Sequence, residues 1–463
     1  MLAVAGGMIA AGPPDGLTPN AWWFAAVFTA TIVGFLSRPL PMGPMVLVGL
    51  MTLLFAGAFG RGKDAVQGML SGFADATVWL VVAAFLLSGT VVRTGFGRRI
   101  ALMLIRSLGR TTLGLGYAIA ASELILGPII PAATARGGAV MAPIVNALAL
   151  ALGASPANDR RRTGGYLVLC GAHANLIASA MFFTGMAANP IIGELAQQVL
   201  GVDDWDWTNW LRGSWPMGLL SFALLPWVLY RLHPPDLTQS PTARQDAVEE
   251  LAAMGPWSGR QIAVGVLLLT MVVAWALEPW HGVYAAGIAL AGIAVILILN
   301  IDRWQDLTGD RAAWDSLIWL GGLVTMANYL KNEKVIDWFA ELMQQQVVGL
   351  NGVTAAVALA LIYFFSMYAF SMMTGHIMAM AGAFFGVALA AGSPPLLIIA
   401  MISYFSNLCG CLTNYSTGQV VIYSGFDYVT TRRWFAVGFG VAIFHLVVWL
   451  GVGLPYWKLL GWW

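Results

Sequence analysis

The chain has 463 residues, of which 59% are hydrophobic and only 10% are charged, whereas an ordinary soluble domain carries about 25% charged residues. Its 23 basic and 22 acidic side chains give a formal net charge of +1, too few charges to cover the soluble domains that a chain this long could hold. The composition argues against a soluble enzyme and against a disordered or fibrous chain. With 53 glycines and 20 tryptophans, it points to an all-α polytopic membrane protein, since both residues are enriched in membrane helices or at their interfaces.

The first ten residues are apolar without a basic segment before them, which reads as an anchor rather than a cleaved signal. A membrane span needs about 20 apolar residues. The predicted segments, in chain order, are 21–37, 42–60, 76–95, 112–130 with 137–153, 164–187, 213–231, 261–278, 281–299, 315–330, 351–369 with 373–390, 395–412 with 415–426, and 433–456. Asp75 stands where it can cap the helix beginning at Ala76. The run from Gly127 to Gly138 contains Pro128 and Pro131 and cannot be plain helix. Non-helical backbone at membrane depth is tolerated only where it faces protein or a wet cavity. Segments 112–130 and 137–153 are therefore predicted to be the arms of a re-entrant hairpin with its tip at 131–136. Cys170, Cys409 and Cys411 lie in apolar runs and imply no disulfide framework.

Basic residues set orientation. Arg93, Arg98, Arg99, Arg106 and Arg110, then Arg160, Arg161 and Arg162, and finally Arg432 and Arg433 are placed inside. The stretch 190–212, with Glu194, Asp203, Asp204 and Asp206, is placed outside. The polar stretch 232–260 reads as a flexible cytoplasmic linker between two halves.

The halves resemble each other at an offset of 240 residues. Trp79-Leu80 matches Trp319-Leu320, and each pair leads to an amphipathic stretch, 93–110 and 331–350. Thr134 matches Thr374; after a small shift Asn175-Leu176 matches Asn407-Leu408, and Thr184-Gly185 matches Thr417-Gly418. The first amphipathic stretch is purely basic and the second mixed, as expected of inverted repeats, which mark secondary transporters.

Each half then offers a broken hairpin and a later broken helix. The first contributes Thr134, Arg136, Asn175 and Thr184; the second contributes Thr374, His376, Asn407, Thr413, Asn414, Ser416 and Thr417. Broken helices expose unpaired N–H groups, and helix N-termini favour anions. Arg136 and His376 stand two residues after the matched threonines, as a pull on a dianion or as intramembrane groups with structural partners. Glu123 could pair with Arg136 or His173, or carry a proton; His173 reads as a core hydrogen-bonding residue. No metal-ligand spacing, catalytic triad or phosphate loop followed by lysine occurs, so no cofactor, enzyme activity or nucleic-acid partner is expected.

Several ordered blocks carry a family resemblance. They are Glu123-Leu124-Ile125-Leu126-Gly127-Pro128 through Thr134-Ala135-Arg136-Gly137-Gly138, Ala174-Asn175-Leu176-Ile177-Ala178-Ser179 through Ala188-Asn189-Pro190, Met373-Thr374-Gly375-His376, and Ser406-Asn407-Leu408 through Leu412-Thr413-Asn414-Tyr415-Ser416-Thr417-Gly418. From about Asp75 onward the chain resembles the divalent anion:sodium symporter family. It looks closest to the branch with bacterial citrate/succinate exchangers and the chloroplast 2-oxoglutarate/malate translocator. The resemblance implies an elevator transporter and a homodimer in a bacterial inner membrane. It divides the chain into 1–231, with scaffold helices about 21–110, a transport part 111–190 and a connecting helix 213–231; the linker 232–260; and an inverted second half 261–463, with scaffold 261–350 and transport part 351–463. The family's Ser-Asn-Thr or Ser-x-Thr tips align with Ala132-Ala133-Thr134 and Met372-Met373-Thr374, where only the threonines remain. A usual histidine is replaced by Asn414 and a usual glycine by Ser416. These losses suggest a cargo that is bulkier or less polar at one end.

The sequence reading is a carrier of di- or tricarboxylates, that is, of small organic dianions. Substrate binding is assigned to Thr134, Asn175, Thr184, Thr374, Asn407, Thr413, Asn414 and Thr417, and charge compensation or coupling to Arg136, His376 and Glu123. Sodium is not favoured, because fixed cations can replace its charge, and an empty carrier left with unbalanced charge favours exchange. The alternatives are a sodium- or proton-coupled carboxylate or sulfate symporter and a non-transporting membrane scaffold or receptor.

Overall fold

The computed structural model describes residues 2–37, 39–155, 163–203, 205–240, 242–344 and 352–463. Arg160, Arg161, Arg162, Asp204 and the end of the 331–350 stretch lie outside the described residues. Among the described residues the chain is helical, without a β-strand. The first half comprises α1 (Leu2–Ala11), α2 (Pro19–Ser37), α3 (Met42–Phe55), α4 (Gly62–Met69), α5 (Ala76–Thr94), α6 (Phe96–Leu108), α7 (Thr112–Leu126), α8 (Ala142–Ala151), α9 (Thr163–Met181), α10 (Asn189–Leu200) and α11 (Trp207–Leu232). Next come α12 (Ala243–Ala253), α13 (Gly259–Ala276), α14 (Glu278–His281), α15 (Ala285–Ile298), α16 (Trp304–Thr308), α17 (Arg311–Asn332), α18 (Val335–Gln344), α19 (Gly352–Ser366), α20 (Met373–Ala390), α21 (Pro395–Leu408), α22 (Gly418–Gly425), α23 (Thr431–Gly451) and α24 (Gly453–Leu459). Short non-α turns interrupt the helices at Ala135–Met141, Phe183–Gly185, Met367–Ala369 and Cys409–Leu412.

Seven helical segments among the described residues are long and apolar enough to cross a membrane. Asp75 caps α5 as expected, its Oδ1 accepting from the Thr77 and Val78 amides at 2.7 and 3.3 Å. At 19 residues, α5 is about 28 Å long, close to the hydrocarbon thickness of a bilayer. At its far end Arg93 pairs with Asp302 at 2.5 Å. Every residue of α9 is buried, and α9 packs against α7, α8, α11 and α21. It is the central post of the fold.

The Arg93 end of α5 belongs to a basic face. Arg98 pairs there with Glu250 at 2.7 Å, and Arg433 donates to the Leu232 carbonyl. On the opposite face Glu194, Asp203, Asp206 and Glu278 line one small pocket. This separation of charge follows the distribution expected of a membrane protein with its basic face inside.

The 232–260 stretch differs from the expected flexible linker: it holds α12, which packs along α6. The buried Arg99 donates to the carbonyls of Gly255, Met254 and Pro256 at 2.9, 3.1 and 3.3 Å. Ser240 donates to the Gly109 carbonyl at 2.7 Å, and Thr112 to that of Leu237 at 2.6 Å. Its Glu250 and the carbonyls of residues 254–256 have partners on α6, which composition alone does not reveal.

α11 contains Pro216, which cannot donate to the carbonyl of Arg212. Tyr456 Oη donates to that carbonyl at 2.9 Å, and Trp457 Nε1 donates to the next, Gly213, at 2.8 Å.

Arg99→Ala removes three bonds from a charged donor, each worth about 1.5–3 kcal/mol. Amide exchange across Ala243–Ala253 is then expected to quicken by about tenfold or more, read by hydrogen–deuterium exchange in micelles, with exchange in α9 unchanged.

Candidate functional site

The first hairpin breaks after α7. Pro128 and Pro131 lack the N–H that a helix needs, and helix resumes at a π-turn, Ala135–Met141, leading into α8. The Ala132 amide reaches Ser88 Oγ on α5 at 3.2 Å. α9 breaks at the short turn Phe183–Gly185 before α10. These breaks free carbonyl oxygens in the interior, and Arg136 meets them. A guanidinium has five N–H donors, and all are used: Nε to Glu123 Oε2 at 2.7 Å, Nη1 to the Ile130 and Gly185 carbonyls at 2.9 and 3.0 Å, and Nη2 to the Asn175 carbonyl and Ser179 Oγ at 3.3 and 3.0 Å. Asn175 Nδ2 donates to Glu123 Oε2 and the Ala133 carbonyl at 3.0 and 3.2 Å. Glu123, Arg136 and Asn175 are fully buried.

The second half repeats the interruption with other chemistry. α19 ends in the turn Met367–Ala369 before α20, and α21 ends in the turn Cys409–Leu412 before α22. The Met373 amide donates to the Ser416 carbonyl at 2.8 Å, and Ser416 Oγ donates to the Gly410 carbonyl at 2.7 Å. His376 Nε2 lies 2.7 Å from Ser366 Oγ, between the rings of Tyr363 and Phe370. Asn189 joins the halves. Its Nδ2 donates to the Ser179 and Phe182 carbonyls at 2.8 and 3.1 Å, and its Oδ1 accepts from Asn407 at 2.8 Å.

Between the hairpin tips lies a cavity of about 400 Å3. Three helix beginnings meet there: the π-turn after Thr134, α20 after Met372, and α22 after Thr417. No side chain caps α20. Thr134, Thr374 and Thr417 line the cavity with Ser371, Tyr415 and Gln419, and Phe85 lines it from α5. Among the described lining residues none is charged. Helix N-termini carry partial positive charge, so the cavity can hold an anion without a fixed cation. A larger cavity of about 630 Å3 on the basic face is lined by Arg93, Arg98, Asp246 and Glu250; Arg93 and Arg98 are already paired with carboxylates, and among the described residues none after Glu250 lines it.

The predicted residues thus separate. Thr134, Thr374 and Thr417 meet at the cavity. Asn175, Arg136 and Glu123 form a network beneath the first tip. Asn407 ties the two breaks together. Thr184 lines a different, mostly apolar pocket and accepts from Trp207 Nε1 at 3.4 Å. Thr413 is buried, and Asn414 donates to Ser424 at 3.1 Å. Neither lines the cavity. Arg136 and His376 do not line it either, so the expectation that Arg136 draws in a dianion meets a guanidinium fully engaged with protein. Gln419, Phe85 and Asn189 were not singled out as site residues in the sequence; the one local signal for Gln419 is its place directly after the matched Thr417-Gly418.

These features define a helical membrane transporter with broken helices around an anion-suited cavity. The whole chain, residues 1–463, matches the family described as the sodium:sulfate symporter transmembrane region, and it belongs to this divalent anion:sodium symporter family. It is 39% identical over 451 residues to the putative malate transporter YflS of Bacillus subtilis, covering 97% of this chain and 93% of that one. It is 36% identical over 463 residues to the chloroplastic dicarboxylate transporter 1 of Arabidopsis thaliana, covering 97% and 80%. It is 32% identical over 479 residues to the citrate/succinate antiporter of Escherichia coli (strain K12), covering 100% and 97%. The YdaH transporter of Alcanivorax borkumensis shares the fold, with a TM-score of 0.61 at 14% identity, covering 96% of this chain and 98% of that one.

Removing one partner of a buried ion pair costs about 3–5 kcal/mol. Glu123→Ala is expected to lower the melting temperature in detergent sharply, and Glu123→Gln, which keeps an oxygen acceptor for Arg136 Nε, to lower it less.

Proposed function

We propose that this protein carries di- or tricarboxylates across a bacterial inner membrane, exchanging one organic anion for another without sodium. The observation that carries the reading is the uncharged cavity where Thr134, Thr374 and Thr417 meet three helix N-termini. Hydroxyls and helix ends hydrogen-bond carboxylates without supplying full charge. The relatives named as malate transporter and citrate/succinate antiporter support the same cargo. Ala132, Ala133, Met372 and Met373 make part of the wall apolar, which suits a cargo that is less polar at one end.

Arg136 supports sodium independence. Backbone carbonyls at a helix break are ligands of the kind a hard cation needs, and here those of Ile130 and Gly185 are taken by the guanidinium. Its charge is balanced by Glu123, so an unbalanced charge at Arg136 is not what enforces exchange; likeness to the antiporter carries that part of the reading.

The motion proposed is an elevator. Residues 111–190 and 351–463 move as the transport part of two inverted halves against scaffold helices 21–110 and 261–350, with the scaffolds forming a homodimer. Phe85 and Ser88 on α5 are then the scaffold's contacts with the cavity and the first tip.

Purified protein in liposomes tests the reading. Uptake of a labelled dicarboxylate is expected only into preloaded vesicles and unchanged by sodium; sodium-driven uptake into empty vesicles overturns exchange. Thr374→Ala, which removes a hydroxyl donor, and Thr134→Ala, which releases Gln419 Oε1 from its 3.1 Å anchor, are each expected to weaken affinity about tenfold to a hundredfold at normal expression, read from the concentration dependence of exchange.

A further inference from the structure

We propose that Gln419 determines specificity, with its side-chain amide donating a hydrogen bond to one carboxylate of the cargo. This inference rests on the carboxylate reading above. Gln419 is the second residue of α22, is 2% exposed and lines the cavity. Its Oε1 accepts from Thr134 Oγ1 at 3.1 Å. Its amide nitrogen has no acceptor among the described residues and is not sealed in the interior. Holding the oxygen on Thr134 therefore leaves the NH2 group for the cavity.

Two glycines bring the groups together. A Cβ on Gly418 would stand 3.0 Å from the Thr134 side chain, and one on Gly137 would stand 2.7 Å from Asn175 Nδ2 and 3.1 Å from Gln419 Cβ. The absence of side chains there lets α22 sit against the first hairpin tip. An amide can turn over, but an anion among helix N-termini selects the orientation with N–H inward. The donor then discriminates. A carboxylate accepts from it, while a neutral amide end of the cargo offers its carbonyl oxygen as a weaker acceptor and its own N–H groups as a mismatch. A site built to make a hydrogen bond rejects ligands that leave it unmade.

The test is exchange in preloaded liposomes with succinate, malate and citrate, and with succinamate, the mono-amide of succinate, as competitor. Gln419→Met keeps the shape and removes the donor; Gln419→Glu keeps the shape and substitutes an anionic acceptor. Gln419→Met is expected to raise KM for the dicarboxylate about tenfold to a hundredfold, with kcat and melting temperature little changed. Gln419→Glu is expected to shift preference toward succinamate by about tenfold or more. Wild-type KM and unchanged succinate-to-succinamate preference in a folded variant of either kind overturn the role of Gln419. If one variant does not fold, the other decides. A wild-type protein that exchanges none of the three acids overturns the carboxylate reading itself, an outcome separate from the other two.

Discussion

The structure depends on how it accommodates broken backbone inside a bilayer. Each carbonyl freed at a helix break must find a donor within the protein, because hydrocarbon offers none. In the first half several side chains share that need: Arg136 holds the loop at Ile130 and the turn at Gly185 and also reaches the α9 carbonyl of Asn175, while Asn189 takes the Ser179 and Phe182 carbonyls and Trp210 and Ser214 take those of Ala180 and Met181. Glu123 neutralises Arg136, and Asn175 bridges the carboxylate to the hairpin at Ala133. The hairpin tip, α7 and α9 are thereby fixed relative to one another, and Thr134 is presented at the cavity.

Around the second tip no ion pair is found among the described residues. Ser416 serves the broken end of α21, and His376 engages Ser366 among aromatic rings. Asn189 and Asn407 then register the two halves at the point where both helices break. This arrangement separates support from binding. Charged groups stay behind the tip, and the cavity is left to hydroxyls, one amide and helix ends. Such a surface can hold an anion and also release it, as a carrier must.

How much of this was legible depends on whether the signal is local. Pro128, Pro131 and their glycine neighbours declare a break wherever they fall, and Asp75 before an apolar run declares a cap. The pair Thr134 and Thr374 was visible because it recurs at one offset. The docking of 232–260 was not visible, because a solvated loop and a helix held by Arg98 and Arg99 have similar compositions. Gln419 was missed for a related reason: its role comes from Thr134, which is 285 residues away in the chain. Arg136 was noticed for its cost, but its direction was not readable, since the carbonyls that claim it belong to separate breaks. The resemblance marked the motif residues without distinguishing those that face the cavity from those that build its support.

The proline inside α11 has a consequence for biogenesis. Pro216 leaves the Arg212 carbonyl without its helical donor, and the groups that meet it and its neighbour Gly213 are Tyr456 and Trp457. Synthesis therefore makes the need more than 200 residues before it makes the remedy. While the second half is being inserted, α11 must keep this stretch near water, lipid headgroups or the insertion machinery. The last helix of the chain is in this sense a late clasp: its arrival lets a helix made midway through translation settle into its final place.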